Sequence, residues 1–231
     1  MWFGLTLSLL VVAYNNAVNR WPPFHGVAYV PLNLTFTGVI MLVATATLGL
    51  SRAELGLEGD LVDAGVSLAA VGVFCLGAFA LASSRHAHRI ADKRVAELRG
   101  SQLAYRVLLR IPLGTAVSEE VIFRGVLFTI WRDAGVSWLG AAVFASLAFG
   151  LWHVSPTILG IRINDPLASG RRIGAAVAGA VLLTTVAGLG LAWVRLRTGG
   201  LIAPIVLHGG INSISALAGV RAARVARNDV R

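Results

Sequence analysis

Residues 64–83 read AGVSLAAVGVFCLGAFALAS, a run without a charged side chain. It matches the roughly 20 residues that an α-helix needs to cross the hydrocarbon core of a bilayer. With no charged face to present to water, it reads as a membrane span rather than as an amphipathic surface helix. Similar runs lie outward from it at 2–19, 27–50 and 173–194, with shorter or more polar ones near 106–131, 136–153 and 199–219. The expectation is an all-α, polytopic transmembrane bundle of about seven spans with its site inside the bundle.

Composition points the same way. The 231 residues are 56% hydrophobic and 13% charged, with a mean hydropathy of +0.76, outside the range of soluble globular domains. No linker or internal repeat divides the chain, which reads as one transmembrane domain. Within it, residues 1–102 hold accessory spans and a basic linker, 103–219 the motif-bearing core, and 220–231 a basic tail. The formal charge of +9 would suggest nucleic acid in a soluble protein. Here the arginines fall mainly between apolar runs, where they act as orientation signals, so the partner is the lipid bilayer and not nucleic acid. The lone cysteine, Cys75, excludes an intrachain disulfide and reads as a small buried apolar residue. The first run has no basic leader and no small-residue cleavage site, so it reads as a retained helix.

The linker from Ser84 to Tyr105 carries Arg85, Arg89, Lys93, Arg94 and Arg99 and should be cytoplasmic. Seven alternating spans then put the N-terminus outside and the C-terminus inside, with Arg195 and Arg197 against the trend. Within the linker, RIADKRVAELRG reads either as an amphipathic helix on an anionic leaflet or as a solvated basic segment. His86 and His88 there, and His25 before the second span, read as solvated.

Against this background SEEVIFRG, Ser118–Gly125, is out of place. A charge at the centre of a spanning helix costs about 2.5 to 3.5 kcal/mol, so Glu119, Glu120 and Arg124 together cost about 8 to 10 kcal/mol. Their apolar neighbours return only about 3 to 5 kcal/mol. Ionisable residues kept at such cost normally face a protein interior or wet cavity and mark a site. Glu120 and Arg124 are four apart and pair on one helical face, while Glu119 points about 100° away and faces a different partner. Two further spans carry histidine. Phe149 and His153 share a face in FASLAFGLWHV, as do His208 and Asn212 in PIVLHGGINSIS. Convergent titratable groups in a low-dielectric setting describe a catalytic or metal site.

At these positions the chain resembles a known family. EEVIFRG matches EExxxR, FGLWH matches FxxxH and HGGIN matches HxxxN, in the order and on the separate helices of the CPBP intramembrane proteases. These comprise the type II CAAX prenyl proteases and the related bacteriocin-processing and self-immunity proteins. The resemblance implies an endopeptidase acting on a membrane-bound or lipidated substrate, prenylated or not. It makes Glu119 the general base, with His153 helping to position water, and His208 and Asn212 the oxyanion donors; Glu120, Arg124 and Phe149 are supporting residues. No cofactor is required by this scheme. An alternative makes Glu119, His153 and His208 zinc ligands. Two other functions stay open: a non-proteolytic scaffold or immunity partner on the same fold, and a small transporter using these groups as a proton relay.

Overall fold

The computed structural model describes residues 1–21, 26–59 and 64–228, and every regular element among them is helical. The helices are α1 (Trp2–Val18), α2 (Tyr29–Leu48), α3 (Ala64–Ala82), α4 (100–133), α5 (Trp138–Trp152), α6 (Val154–Asn164), α7 (Gly170–Thr198) and α8 (Ile202–Asn228). Local chemistry sets their ends. Ser137 and Ser169 cap α5 and α7 by accepting from the backbone N–H of Gly140 and Arg172. Gly199 ends α7 at φ 70°, a left-handed conformation that a side chain would strain.

Five stretches are long and apolar enough to span a bilayer: α2, α3, α5 with α6, α7 and α8. The shorter apolar α1 and the charge-bearing α4 complete the order of spans read from the sequence. Large apolar side chains face outward, among them Val66, Val73 and Leu76 on α3 and Leu182 and Leu183 on α7. This is a multi-pass membrane protein. Cys75, expected to be buried, is half-buried on this outward-leaning α3.

The bundle is built around α4. Its Phe123, Leu127 and Phe128 pack with Val11 of α1, Ile40 of α2 and Ala145 and Phe149 of α5 in one apolar core. On its other side α8 runs between α3 and α4. The winding of α4 is unusual. Arg106–Val117 and Val121–Leu127 follow the wide i→i+5 pattern, with Ser118–Glu120 in ordinary α winding between them. Pro112 lies in the first wide segment, where it has no N–H to donate and its ring would crowd the Leu108 carbonyl in a regular α-turn. Such wide turns recur at functional sites.

The basic linker is not one amphipathic helix, and Arg85, Arg89, Lys93, Arg94 and Arg99 are exposed, as a solvated basic segment would have them. It forms a 3₁₀ turn at Ala87–Arg89 and a single helical turn at Lys93–Ala96, where Asp92 caps the start. Val95 is buried against α8, and Lys93 and Asp92 hydrogen-bond Asn164 at the end of α6. Arg227 of α8 pairs with Glu97 at 2.8 Å. His88 is exposed and His86 half-buried, while His25 lies outside the described residues. At the opposite end, residues 51–58 fold onto the bundle, where Arg195 and Thr129 both donate to the Glu54 carbonyl. One end of the bundle thus gathers the linker and the C-terminal part of α8, and the other gathers Glu54, Arg132 and Arg195.

Candidate active site

Two adjacent glutamates on α4 take different partners. The Glu120 carboxylate is fully buried and accepts from Arg124 Nη1 at 3.1 Å and from His208 Nδ1 at 2.7 Å. Arg124 is itself 1% exposed and lies over the Phe149 ring, 4.2 Å from its centroid. Gly188 of α7 makes room for it, since a Cβ there would sit 3.0 Å from Arg124 Nη2. Glu119 is also buried. Its Oε1 accepts from the Trp152 indole N–H at 3.0 Å, and its Oε2 has no hydrogen-bond partner and lies 3.7 Å from His208 Nε2. Glu120 Oε2 is likewise without a partner, so the two carboxylates differ in what holds their Oε1 atoms, Trp152 for Glu119 and Arg124 with His208 for Glu120.

His208 therefore bridges both glutamates. Because an ionised carboxylate only accepts, Nδ1 donates to Glu120, and Nε2, turned towards the Glu119 carboxylate, carries the second proton of an imidazolium. The 3.7 Å separation exceeds a hydrogen bond and suits an intervening polar atom.

His153 is held by a break in the span. Pro156 cannot donate and its ring crowds the Trp152 carbonyl, so the helix gives way between α5 and α6 at His153. Asparagines from α1 satisfy the groups this frees. Asn15 Nδ2 donates to Trp152 O at 2.7 Å, Asn16 Nδ2 to Leu151 O at 3.0 Å, and Ser155 N–H to Asn16 Oδ1 at 2.7 Å. His153 Nδ1 donates to Phe149 O at 2.7 Å, which leaves Nε2 as its acceptor. The ring meets Phe149 edge-on at 4.7 Å between centroids, and His208 meets the same ring at 5.9 Å.

Phe149 is thus the common neighbour of Arg124, His153 and His208. Asn212 lies on α8 one turn beyond His208 and lines a cavity of about 780 Å³ between α3, α4 and α8. His153 lines a separate cavity of about 440 Å³ against α6. Zinc would need Glu119, His153 and His208 around one centre, and among the described residues no three such side chains stand where a metal could be held.

Trp152, Asn15 and Asn16 were not singled out in the sequence. The signals were an asparagine pair inside an apolar span, and a proline four residues after a tryptophan that adjoins a motif histidine.

Residues 101–214 match the family model described as type II CAAX prenyl endopeptidase Rce1-like. No curated protein and no solved structure matches the chain. The matched segment runs from the first turn of α4 to just past Asn212 and contains all three motifs, so this part of the chain is an Rce1-like segment similar to the CAAX-type intramembrane proteases.

Proposed function

We propose that the protein is a metal-free intramembrane endopeptidase in which Glu119 activates water against a peptide bond of a lipidated, membrane-anchored substrate. The observation that carries this reading is the asymmetry of the Glu119 carboxylate, with Oε1 fixed by Trp152 and Oε2 unpaired opposite His208. A water held at Oε2 gives its proton to Glu119 as its oxygen attacks the scissile carbonyl carbon. His153, through Nε2, helps align that water. The carbonyl π-electrons move onto oxygen, and the resulting oxyanion takes hydrogen bonds from His208 Nε2–H and the Asn212 amide, bonds that strengthen only in the transition state. Collapse of the intermediate breaks the C–N bond, and Glu119 returns its proton to the departing amine.

Glu120 has a different task. Tied to Arg124 and His208, it sets the His208 ring and stays out of the proton transfer. Topologically, the linker face with its clustered basic residues is the cytoplasmic side, which puts the substrate's anchor in the same leaflet.

The test is hydrolysis by purified full-length protein in nanodiscs of an S-farnesylated quenched peptide and its unprenylated counterpart, after exhaustive chelation. Cleavage of the farnesylated peptide, with solvent ¹⁸O entering the new carboxyl terminus, is expected. No cleavage of either peptide, or cleavage that returns only with added zinc, would end this reading.

A further inference from the structure

Asn212 of α8 shares its cavity with Thr115 of α4. The two helices run antiparallel there. Glu119 lies 3.7 Å from His208, and nearer the linker Ser213 donates to the Val107 carbonyl at 3.0 Å. Thr115 is four residues before Glu119 and Asn212 is four after His208, so each lies one helical turn closer to the linker than its neighbour in that first pair. Glu119 with His208, and Thr115 with Asn212, thus occupy successive levels of one α4–α8 contact.

The Thr115 hydroxyl is held from α2. Its Oγ1 lies 2.9 Å from the Tyr29 hydroxyl oxygen. The Tyr29 ring is seated against Gly114, where a Cβ would come within 2.9 Å of two ring carbons, and Asn33, one turn further along α2, donates to the Gly114 carbonyl at 3.0 Å. A phenol is the more acidic hydroxyl and shares its oxygen lone pairs with the ring, so Tyr29 donates and Thr115 accepts. The Arg110 guanidinium, 4.0 Å from the centroid of that ring, draws electron density the same way. Thr37 and Thr184 give their protons to carbonyls four residues back. Among the described residues Thr115 makes no such bond, and its proton is left for an acceptor in the cavity.

We propose that Thr115 is a further catalytic residue, whose hydroxyl donates to the scissile carbonyl oxygen beside the Asn212 amide, with Tyr29 as the positioning residue that fixes its direction. This rests on the peptidase reading above and adds a donor supplied by α4 itself. Thr115 keeps its proton throughout. Its hydrogen bond strengthens as the carbonyl π-electrons move onto oxygen and negative charge builds there, so the gain falls in the transition state. Proton transfer stays with Glu119.

The test is hydrolysis of the S-farnesylated quenched peptide by full-length protein in nanodiscs, with kcat and KM read separately and Tm measured for each variant. Thr115→Val keeps the shape of the side chain and should lower kcat by about 10- to 100-fold, the range for a hydrogen bond to a charged group, with KM nearly constant. Thr115→Ser keeps the hydroxyl and should recover most of the lost kcat. Tyr29→Phe should lower kcat by about 3- to 10-fold and, because it acts through Thr115, should have no further effect in Thr115→Val protein. Thr115→Ala carries the same expectation in place of Thr115→Val if that variant does not fold. Unchanged kcat in Thr115→Val, an equal loss in Thr115→Ser, or a rise in KM alone overturns the proposal and leaves the peptidase reading intact. Full additivity of Tyr29→Phe and Thr115→Val would remove Tyr29 as the positioning residue. Absence of cleavage by the unmodified protein would remove the peptidase reading, and the role of Thr115 with it.

Discussion

Glu119 and Glu120 are chemically identical neighbours with opposite surroundings, and substitution should separate them. Glu120 pairs through one oxygen with Arg124 Nη1 and His208 in a site closed to solvent. Glu120→Gln removes the counter-charge and leaves Arg124 buried and unpaired, which should cost about 3 to 5 kcal/mol of stability. The expected outcome is a clear fall in Tm in detergent; an unchanged Tm would show that Arg124 finds another partner. Asn212 should behave in the other way. Asn212→Ala should lower kcat by about 10² to 10³ with KM nearly constant, because the lost hydrogen bond belongs to the transition state. A rise in KM alone would place Asn212 in substrate binding instead. Much at this scale was legible from spacing. The i,i+4 relation between Glu120 and Arg124 and the divergence of Glu119 follow from helix geometry. The contact of His208 Nδ1 with Glu120 was not legible, since side-chain contacts across helices leave no periodic signal.

The α5–α6 break shows what one proline does to an element. Pro156 frees the Trp152 carbonyl, Asn15 takes it, and the same tryptophan holds Glu119 through its indole. Asn15→Leu should therefore act at a distance. It leaves the Trp152 carbonyl buried and unpaired, with an expected loss of about 1 to 3 kcal/mol, and loosens the Glu119 anchor. The check is a paired measurement of Tm and peptidase kcat. A fall in Tm with kcat intact would mean that the break supports the fold but not the site. The sequence marked α5 as a span ending at His153, yet it gave no reason to join α1 to that end. Nor did it reveal the wide winding of α4, because hydrophobic periodicity over a mostly apolar stretch cannot distinguish i→i+4 from i→i+5 bonding.

Across the whole molecule, the apolar runs made the bundle legible because membrane thickness fixes helix length. Of the two readings of the linker, the surface helix fails because contacts with α6 and α8 decide its shape, while the exposure of its basic side chains follows from their charge. Asp92 is central to those contacts. Burial works against its charge, but hydrogen bonds from the Arg94 side chain, Asn164 and the Arg94 backbone outweigh it and hold the carboxyl below the usual carboxylate range. A depressed folded pKa means that this contribution is complete above the unfolded value of about 3.9 and is lost as pH falls through the lower folded value. Amide protection factors over residues 92–97 should hold steady from about pH 7 to pH 5 and collapse below about pH 4. In Asp92→Asn they should be low throughout. Protection in Asp92→Asn equal to that of the unmodified protein would show that other contacts hold the linker.

The most direct test of the central claim compares Glu119→Gln with the unmodified protein in single-turnover cleavage of the farnesylated peptide. Glutamine keeps the size of the side chain and an oxygen for Trp152 but cannot take a proton. The account predicts unchanged Tm and peptide affinity, with cleavage slowed by at least about 10² to 10⁴, the range for general-base catalysis. Near-normal turnover by a folded Glu119→Gln protein would contradict it.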